Sequence, residues 1–325
     1  MIKVKPRKLL KLDGSSRKYT IHNSLILLFI FGTCISLTSC KQKPSISTEP
    51  GLKVIATNSL IGDVVSQVGG DKVSVEVLLP LGSDPHSFSP TPQDAAKIAD
   101  ADIVFANGVG LEAFLKPLMD SIGGSSKVVE VSNGISFRTT ISENPRDKKP
   151  VDDPHTWMDP NNVSIWVDNI VLALSEKDPN NANYYLENGK AYQVKLRELD
   201  TWIRSEASLI PEQDRKLVTD HLVFGYFSDR YGFSQVGAII PGFSSLAEPS
   251  AQDIAQIEDT IKAMGVKAIF INIGTNTNIA QRISEDAGTK LVSLYMHSLS
   301  DKSGVAGNYI DFMRYDVTSI INAFK

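Results

Sequence analysis

Short apolar runs rich in β-branched residues recur from residue 53 onward and alternate with segments of helical periodicity. Several runs are almost continuously apolar, which is typical of parallel strands covered on both faces. Strands that alternate with helices indicate βαβ units and therefore an α/β fold. The predicted strands are 53–57, 73–79, 102–107, 127–131, 216–220, 234–240, 267–272 and 290–295.

The eight predicted strands fall into two groups of four, separated by a long helical stretch at 180–209. This stretch would be about 45 Å long at about 1.5 Å per residue. It could be an ordinary amphipathic helix within one lobe, but its length and position favour a connector. We therefore predict two lobes, each a four-stranded, mostly parallel sheet with flanking helices, joined by one long helix. Residues spaced alternately by four and three predict its buried face: Tyr185, Gly189, Tyr192, Leu196, Leu199 and Ile203.

The N-terminus has the features of a targeting segment. A basic region precedes an apolar run at 24–37 of about 14 residues, shorter than the roughly 20 that a membrane-spanning helix needs. This arrangement is typical of a signal peptide. The run ends in Leu37-Thr38-Ser39-Cys40, which resembles a bacterial lipobox, so we expect cleavage before Cys40 and lipidation of its thiol. A plain transmembrane anchor, or a cysteine there by chance, is the alternative.

The segment that follows Cys40 is polar and rich in proline and serine, as a flexible tether would be. A lipid at this position would place the rest of the chain outside the cytoplasmic membrane. The predicted segments are a lipoprotein signal peptide at 1–39, a tether at 40–51, an N-terminal α/β lobe at 52–179, a connecting helix at 180–210 and a C-terminal α/β lobe at 211–325.

Charge and cysteine content narrow the classes of ligand. The formal net charge of −4 combines +6 in residues 1–39 with −10 in the remainder. An acidic body does not suit nucleic acid or an anionic membrane surface, but it is compatible with a cationic ligand. Both cysteines, Cys34 and Cys40, lie near the N-terminus. A transition-metal site in the body must therefore use histidine or carboxylate ligands.

Four of the five histidines lie at junctions between predicted segments. His86 follows the second predicted strand, His221 and His297 directly follow the fifth and eighth, and His155 precedes a predicted helix; His22 lies in the targeting segment. Ligands bind at the carboxyl edge of open α/β sheets. Since two histidines come from each predicted lobe, we expect them to meet in the cleft between the lobes.

Four imidazoles can complete a tetrahedral metal shell. Imidazole is a common ligand of Zn²⁺ and also suits Cu, Ni and Fe. The second nitrogen of each ring then needs a hydrogen-bond acceptor, and Asp84, Asp153 and Asp220 are near in sequence. The alternative is that each histidine is a solvated or satisfied core residue. The shared position of all four at junctions favours a metal site.

Several motifs resemble the zinc- and manganese-binding solute-binding lipoproteins of bacterial ABC importers, the cluster A-I or TroA-like family. The resemblance extends from about residue 53 to the C-terminus. It implies two α/β lobes joined by one long helix, with a metal ion held between the lobes by one residue from each of four loops. The principal motifs are Leu81-Gly82-Ser83-Asp84-Pro85-His86, Asp153-Pro154-His155-Thr156-Trp157, Asp220-His221 and Ala247-Glu248-Pro249-Ser250.

The resemblance implies that His86, His155 and His221 are metal ligands. At the fourth position the family usually has aspartate, and here His297 occupies the corresponding segment. Asp301 from the next turn, or a water molecule, could instead complete the shell. His297 is our first choice because it lies where the ligand should be.

A shell of four imidazoles favours Zn²⁺ over Mn²⁺, because Mn²⁺ prefers carboxylate oxygen. Mn²⁺ is the alternative ion. Cu²⁺ and Ni²⁺ are compatible with the general order of affinities. Zinc-type members of the family often carry a histidine-rich acidic loop before the second ligand. Residues 137–152 contain no histidine, so this auxiliary feature is missing.

The expected function is the capture of an extracytoplasmic divalent metal ion and its delivery to a cognate ABC permease, by a monomer that binds no nucleic acid and is not an enzyme. A zinc-dependent hydrolase would need a general base at a fixed offset from a ligand, and no His-Glu-x-x-His motif is present. A surface adhesin that uses the fold as a scaffold is a further alternative, which nothing in the sequence specifically favours.

Overall fold

The computed structural model describes residues 51–124, 127–141 and 149–325, with side chains in these ranges except those of residues 140 and 141. The predicted signal peptide, the lipidation site Cys40 and most of the predicted tether lie outside them. No helix of the described ranges combines the length and apolar character needed to cross a bilayer.

The first half of the described chain is built on a parallel four-stranded sheet with the order β2-β1-β3-β4. Val54 and Ala56 of the central strand face one hydrophobic cluster and Ile55 faces another, so the sheet is covered on both faces as predicted. Its strands are β1 Leu52–Ala56, β2 Val73–Val77, β3 Ile103–Ala106 and β4 Val128–Glu130, and its helices are α1 Ser59–Gly69, α2 Pro92–Asp100 and α3 Leu115–Ile122.

A short antiparallel hairpin follows the first sheet and was not predicted from the sequence. It consists of β5 Thr139–Ile141 and β6 Pro150–Asp152, with Thr139 opposite Asp152. Strands of three residues are too short to show a periodic pattern. The hairpin leads directly into Asp153 and His155, so it fixes where the second of the four histidines lies.

Two long helices pack against each other in the middle of the fold. They are α4 Pro160–Lys177 and α5 Ala182–Ala207. The predicted face of α5 is confirmed, since all six of its residues are buried. Their axes approach closely at Gly189, where an added Cβ would lie 2.7 Å from Cγ2 of Val171. On the first half α5 contacts α1 and α4.

The second half repeats the parallel arrangement with the order β10-β9-β7-β8. Helix α5 contacts two of its helices, α6 and α9, as well as the first half. Its strands are β7 Lys216–Thr219, β8 Ser234–Ala238, β9 Ala268–Asn272 and β10 Lys290–Leu294, and its helices are α6 Gly225–Tyr231, α7 Ala251–Met264, α8 Asn278–Ala287 and α9 Tyr309–Phe324.

The predicted fold class is confirmed. Each of the eight predicted strands coincides with an observed parallel strand, and the ends differ by no more than two residues. One hydrophobic cluster extends from β1 through α4 and α5 to β9 and α9. The domain boundaries proposed at 179 and 210 stay a prediction.

Candidate metal centre

The four histidines singled out by the sequence lie together between the two halves. One ring nitrogen from each of His86, His155, His221 and His297 lies within 4.8 Å of the others. The Nε2 atom of His155 is 3.2 Å from that of His86 and 3.3 Å from that of His221, which is 3.1 Å from Nε2 of His297. Three of the rings are buried and His86 is partly buried.

Each histidine is presented by a loop at the end of a regular element. His86 lies between β2 and α2, and its backbone N–H donates to Oδ1 of Asp84 at 2.8 Å. His155 lies between β6 and α4, while His221 and His297 follow β7 and β10. The predicted placement at the carboxyl edges of the sheets is thus confirmed for His221 and His297.

Two aspartates orient two of the rings. Nδ1 of His155 is 2.8 Å from Oδ1 of Asp153, and Nδ1 of His221 is 2.8 Å from Oδ1 of Asp220. A carboxylate at this position accepts a hydrogen bond from Nδ1–H and so leaves the lone pair on Nε2. Asp84 does not orient a ring in this way; its Oδ2 instead accepts a hydrogen bond from the hydroxyl of Ser245, in the other half.

The loop that carries His297 is anchored by Asn272, which sequence reasoning missed, and by Trp157, which it quoted in a motif without assigning a role. Asn272 donates its backbone N–H to Oδ2 of Asp220 at 2.9 Å and accepts from the backbone N–H of Met296 at 3.0 Å. Nε1 of Trp157 donates to the carbonyl of Met296 at 2.9 Å. The supports of His221 and His297 are therefore connected, and Trp157 links them to the first half. These pairings join residues that are 24, 52 and 139 positions apart in the sequence, so they leave no local signal.

Burial favours the neutral form of three of the rings, those of His86, His155 and His297. It lowers the pKa of His86 from 6.5 to about 4, with the nearby His221 ring adding to the effect. Burial, followed by the neighbouring rings, also lowers the pKa of His155 and His297 well below 6.5. Near neutral pH these nitrogens are therefore free to donate lone pairs. Burial raises the pKa of the Asp153 carboxyl to about 7, although its hydrogen bond to the His155 backbone and Arg138 oppose this rise.

The spacing of the ring nitrogens suits a small tetrahedral ion. Zn–N bonds of about 2.0–2.1 Å in a tetrahedral shell place neighbouring nitrogens about 3.3 Å apart. The three Nε2 separations of 3.1–3.3 Å agree with this value. A cavity of about 180 Å³, lined partly by Asp84, Asp220, Asn272 and Ser245, lies beside His221 and His297.

Asp301, the alternative fourth ligand, lies outside the four-histidine group. Its side chain is exposed, and Oδ1 accepts hydrogen bonds from the backbone N–H and the hydroxyl of Ser303. His297 is buried, and its Nδ1 has no hydrogen-bond partner among the described residues. Of these two candidates, the structure brings only His297 to the other three rings.

Residues 54–323 match the family described as zinc-uptake complex component A, periplasmic. The chain belongs to this family. The match covers both sheets, the long helix α5 and all four histidine loops, and the predicted family resemblance is confirmed.

Several named proteins are similar to this chain over most of their length. The manganese-binding lipoprotein MntA of Halalkalibacterium halodurans is 33% identical over 276 residues, which are 85% of this chain and 89% of that protein. The periplasmic zinc-binding protein TroA of Treponema pallidum has a TM-score of 0.77 and 26% identity, covering 84% of this chain and 99% of that one. A manganese-bound periplasmic metal-binding protein of Candidatus Liberibacter asiaticus has a TM-score of 0.74 and 26% identity, covering 84% and 100%.

Proposed function

We propose that this chain is the extracytoplasmic solute-binding component of a metal ABC importer. It binds one divalent transition-metal ion through His86, His155, His221 and His297 and delivers it to a cognate permease. The observation that carries the proposal is the convergence of four ring nitrogens from two halves of the chain at spacings that suit one ion. Membership of the zinc-uptake component A family supports the same function.

Zinc is the favoured ion and manganese the next. Four imidazoles form a nitrogen-only shell, which suits Zn²⁺, whereas Mn²⁺ prefers oxygen donors. The relatives do not choose between the two, since the family description and the TroA name refer to zinc while the MntA name refers to manganese. The preference for zinc therefore rests on the donor atoms of this chain.

The charge of the ion is balanced from outside its ligands. Neutral imidazoles add no negative charge, but Asp153 and Asp220 accept from Nδ1 of two of them. These carboxylates raise the basicity of the rings to which they are hydrogen-bonded, and their negative charges partly balance the positive charge of the ion. This arrangement favours a closed binding site, in which all the ligands come from the protein.

The same hydrogen bonds favour binding over hydrolysis. A zinc hydrolase needs a carboxylate or similar base that can reach a metal-bound water. Oδ1 of Asp153 and Oδ1 of Asp220 are each already engaged by both the ring and the backbone N–H of the adjacent histidine. We therefore propose no catalytic residue and no enzymatic activity.

The lipid anchor at Cys40 and the extracytoplasmic location are part of the proposal. They rest on the lipobox-like sequence and on the name of the relative MntA, which is called a lipoprotein. We propose that the protein acts as a tethered monomer, which leaves both halves free to meet the permease.

Competitive metal loading tests the proposal. The metal-stripped chain is dialysed against equal low concentrations of Mn²⁺, Fe²⁺, Co²⁺, Ni²⁺, Cu²⁺ and Zn²⁺, and the bound metals are counted by mass spectrometry. We expect one equivalent, mainly zinc, and its loss in His221→Ala. One equivalent of manganese would overturn the choice of ion, and no bound metal would overturn the function.

A further inference from the structure

Arg138 lies at the base of the unpredicted hairpin and reaches across to the second half. Its Nη1 donates to the carbonyl of Gly225 at 3.0 Å and pairs with Oδ2 of Asp229. Both partners belong to α6, which begins four residues after His221. Arg138 thus connects the segment that leads to His155 with the helix that follows His221.

The guanidinium also faces the aspartate that orients His155. Nε of Arg138 lies 3.7 Å from Oδ2 of Asp153, whose side chain is fully buried. Neither atom has a hydrogen-bond partner among the described residues. The other carboxylate oxygen of Asp153 is the one that contacts Nδ1 of His155. One oxygen of Asp153, Oδ1, thus contacts the His155 ring, and the other, Oδ2, faces the guanidinium of Arg138.

The backbone around this pair is held on both sides. Asp153 donates its N–H to the carbonyl of Arg138 at 2.8 Å. The hydroxyl of Tyr226, in α6, donates to the carbonyl of Asp153 at 2.9 Å and accepts from the N–H of Arg138 at 3.2 Å. The backbones of Arg138 and Asp153 are therefore hydrogen-bonded to each other and to Tyr226 in the second half.

Gly225 provides an independent sign that this contact is close. A Cβ added there would lie 2.5 Å from Nε of Arg138 and 2.7 Å from Oδ2 of Asp153. Any other residue would push the guanidinium and the carboxylate apart. The start of α6 therefore has to be glycine for Arg138 to approach Asp153.

We infer that Arg138 is a positioning residue for the metal centre, which holds Asp153 and α6 together so that His155 and His221 keep one mutual arrangement. The inference rests on the proposed metal-binding function. It adds a residue that contacts neither the ion nor any of its ligands. Changes to groups that orient metal ligands typically weaken metal affinity about 10–100-fold, and we expect an effect in this range.

The test compares Zn²⁺ dissociation constants of the metal-stripped full-length chain and its variants. Arg138→Met should raise Kd at least about tenfold, and Arg138→Lys, which keeps the charge, should restore part of the affinity. Gly225→Ala should weaken binding without removing any charged group. The Kd of the double variant, Arg138→Met with Gly225→Ala, should be only slightly higher than that of Arg138→Met alone, because both changes break the same contact. Arg282→Met is the matched control, since Arg282 is exposed and pairs with Asp286 within α8, and it should bind as the parent does.

Loss of folding is separated from loss of positioning in two ways. Affinities are measured at a temperature where circular dichroism shows every metal-free variant fully folded. The visible spectrum of bound Co²⁺, which reports ligand geometry, should change in Arg138→Met and return towards the parent in Arg138→Lys. If Arg138→Met does not fold, Gly225→Ala alone decides the question.

A Kd within twofold of the parent in Arg138→Met, or in Gly225→Ala where Arg138→Met does not fold, overturns the inference while the proposed function stands. Equal weakening by Arg138→Met and Arg138→Lys with an unchanged Co²⁺ spectrum also overturns it. If the parent chain itself binds neither Zn²⁺ nor Co²⁺, the proposed function fails and this inference fails with it.

Discussion

His297 differs from the other buried histidines in what surrounds its second nitrogen. Nδ1 of His155 and of His221 each contacts an aspartate, whereas Nδ1 of His297 has no hydrogen-bond partner among the described residues. Its ring is positioned by packing and by stacking on His221, with ring centres 4.8 Å apart. The hydrogen bonds that position this ligand are made by the loop backbone, at Met296, with Asn272 and Trp157.

Replacing His297 by aspartate should move the metal preference towards manganese. The change supplies an anionic oxygen donor, which Mn²⁺ prefers, at the position of a neutral nitrogen. In competitive loading we expect the ratio of bound manganese to bound zinc to rise about tenfold or more in His297→Asp, which is about 1.4 kcal/mol. Asp301→Asn is the control and should leave the ratio unchanged, since Asp301 lies outside the histidine group. An unchanged ratio of manganese to zinc in His297→Asp would show that His297 is not a metal ligand.

Metal affinity should fall as pH decreases, in two stages. The metal-bound form needs neutral rings and favours an ionised Asp153, so protons compete with the ion. The metal-free protein takes up a proton at Asp153 near its pKa of about 7 and at His86 near its pKa of about 4. Zinc binding should therefore release at least the proton of Asp153 between these values, and more protons near the lower one.

Calorimetry in buffers of different ionisation enthalpy measures the number of protons released on zinc binding at each pH. An affinity that stays constant from pH 7 to pH 5 would contradict this description of the site.

At this scale the sequence was informative about position but not about orientation. Three of the histidines follow predicted strands, and the carboxyl edge of a sheet is a place that can be predicted. Which nitrogen faces the cluster depends on Asp153 and Asp220. The sequence alone predicted Asp84 equally as an acceptor for a ring nitrogen. Asp153 and Asp220 contact both the ring and the backbone N–H of their histidines, whereas Asp84 contacts only the backbone N–H of His86, and composition does not determine this difference.

Helix α5 contacts helices of both halves, and α4 packs along it. Their close approach at Gly189 brings the predicted apolar face of α5 into contact with Val167 and Val171 of α4. Interhelical distance follows the size of the side chains at the contact. A larger residue at this point has to move one helix or distort the other.

Gly189→Leu should therefore destabilise the metal-free protein. Overpacking of a filled interface costs about 1–3 kcal/mol, and the added side chain would meet Val171 before it reached solvent. Lys190→Leu, one residue further on the exposed side of α5, is the matched control and should change the free energy of unfolding by less than about 0.5 kcal/mol. Urea denaturation of both variants measures the difference, and equal effects would show that the helices can separate freely.

Elements with a clear period were predictable and short ones were not. The strands and the buried face of α5 follow from apolar runs and from alternating spacings of three and four residues. The hairpin formed by β5 and β6 has only three residues in each strand. Tyr226 in the second half contacts the backbone of Arg138 and Asp153, the residues on either side of the hairpin, and such a tertiary contact has no local sequence pattern.

The two halves of the molecule are joined by more than the long helix. Trp157 donates to Met296, and Tyr309 in α9 donates its hydroxyl to the carbonyl of Trp157 at 2.7 Å. The main hydrophobic cluster continues across the same boundary. A wide opening of the cleft would have to break buried hydrogen bonds and expose apolar surface at once.

The overall dimensions should consequently change little when the metal binds. We expect the radius of gyration of the metal-free and the zinc-loaded protein, measured by small-angle X-ray scattering, to agree within error. Release of the ion would then depend on local movement of the four loops. A clear decrease in the radius on loading would show that the halves close around the ion as a hinge.

The position of Trp157 also gives the protein an intrinsic optical signal. Its indole is fully buried, with its ring centre 5.2 Å from that of His155 and 6.1 Å from that of His297. An open-shell ion such as Cu²⁺ or Co²⁺ held by these rings would accept excitation energy from the indole and quench its fluorescence. Zn²⁺ has a filled d shell and would not quench in this way. The emission of this indole therefore reports the electronic class of the bound ion without any added label.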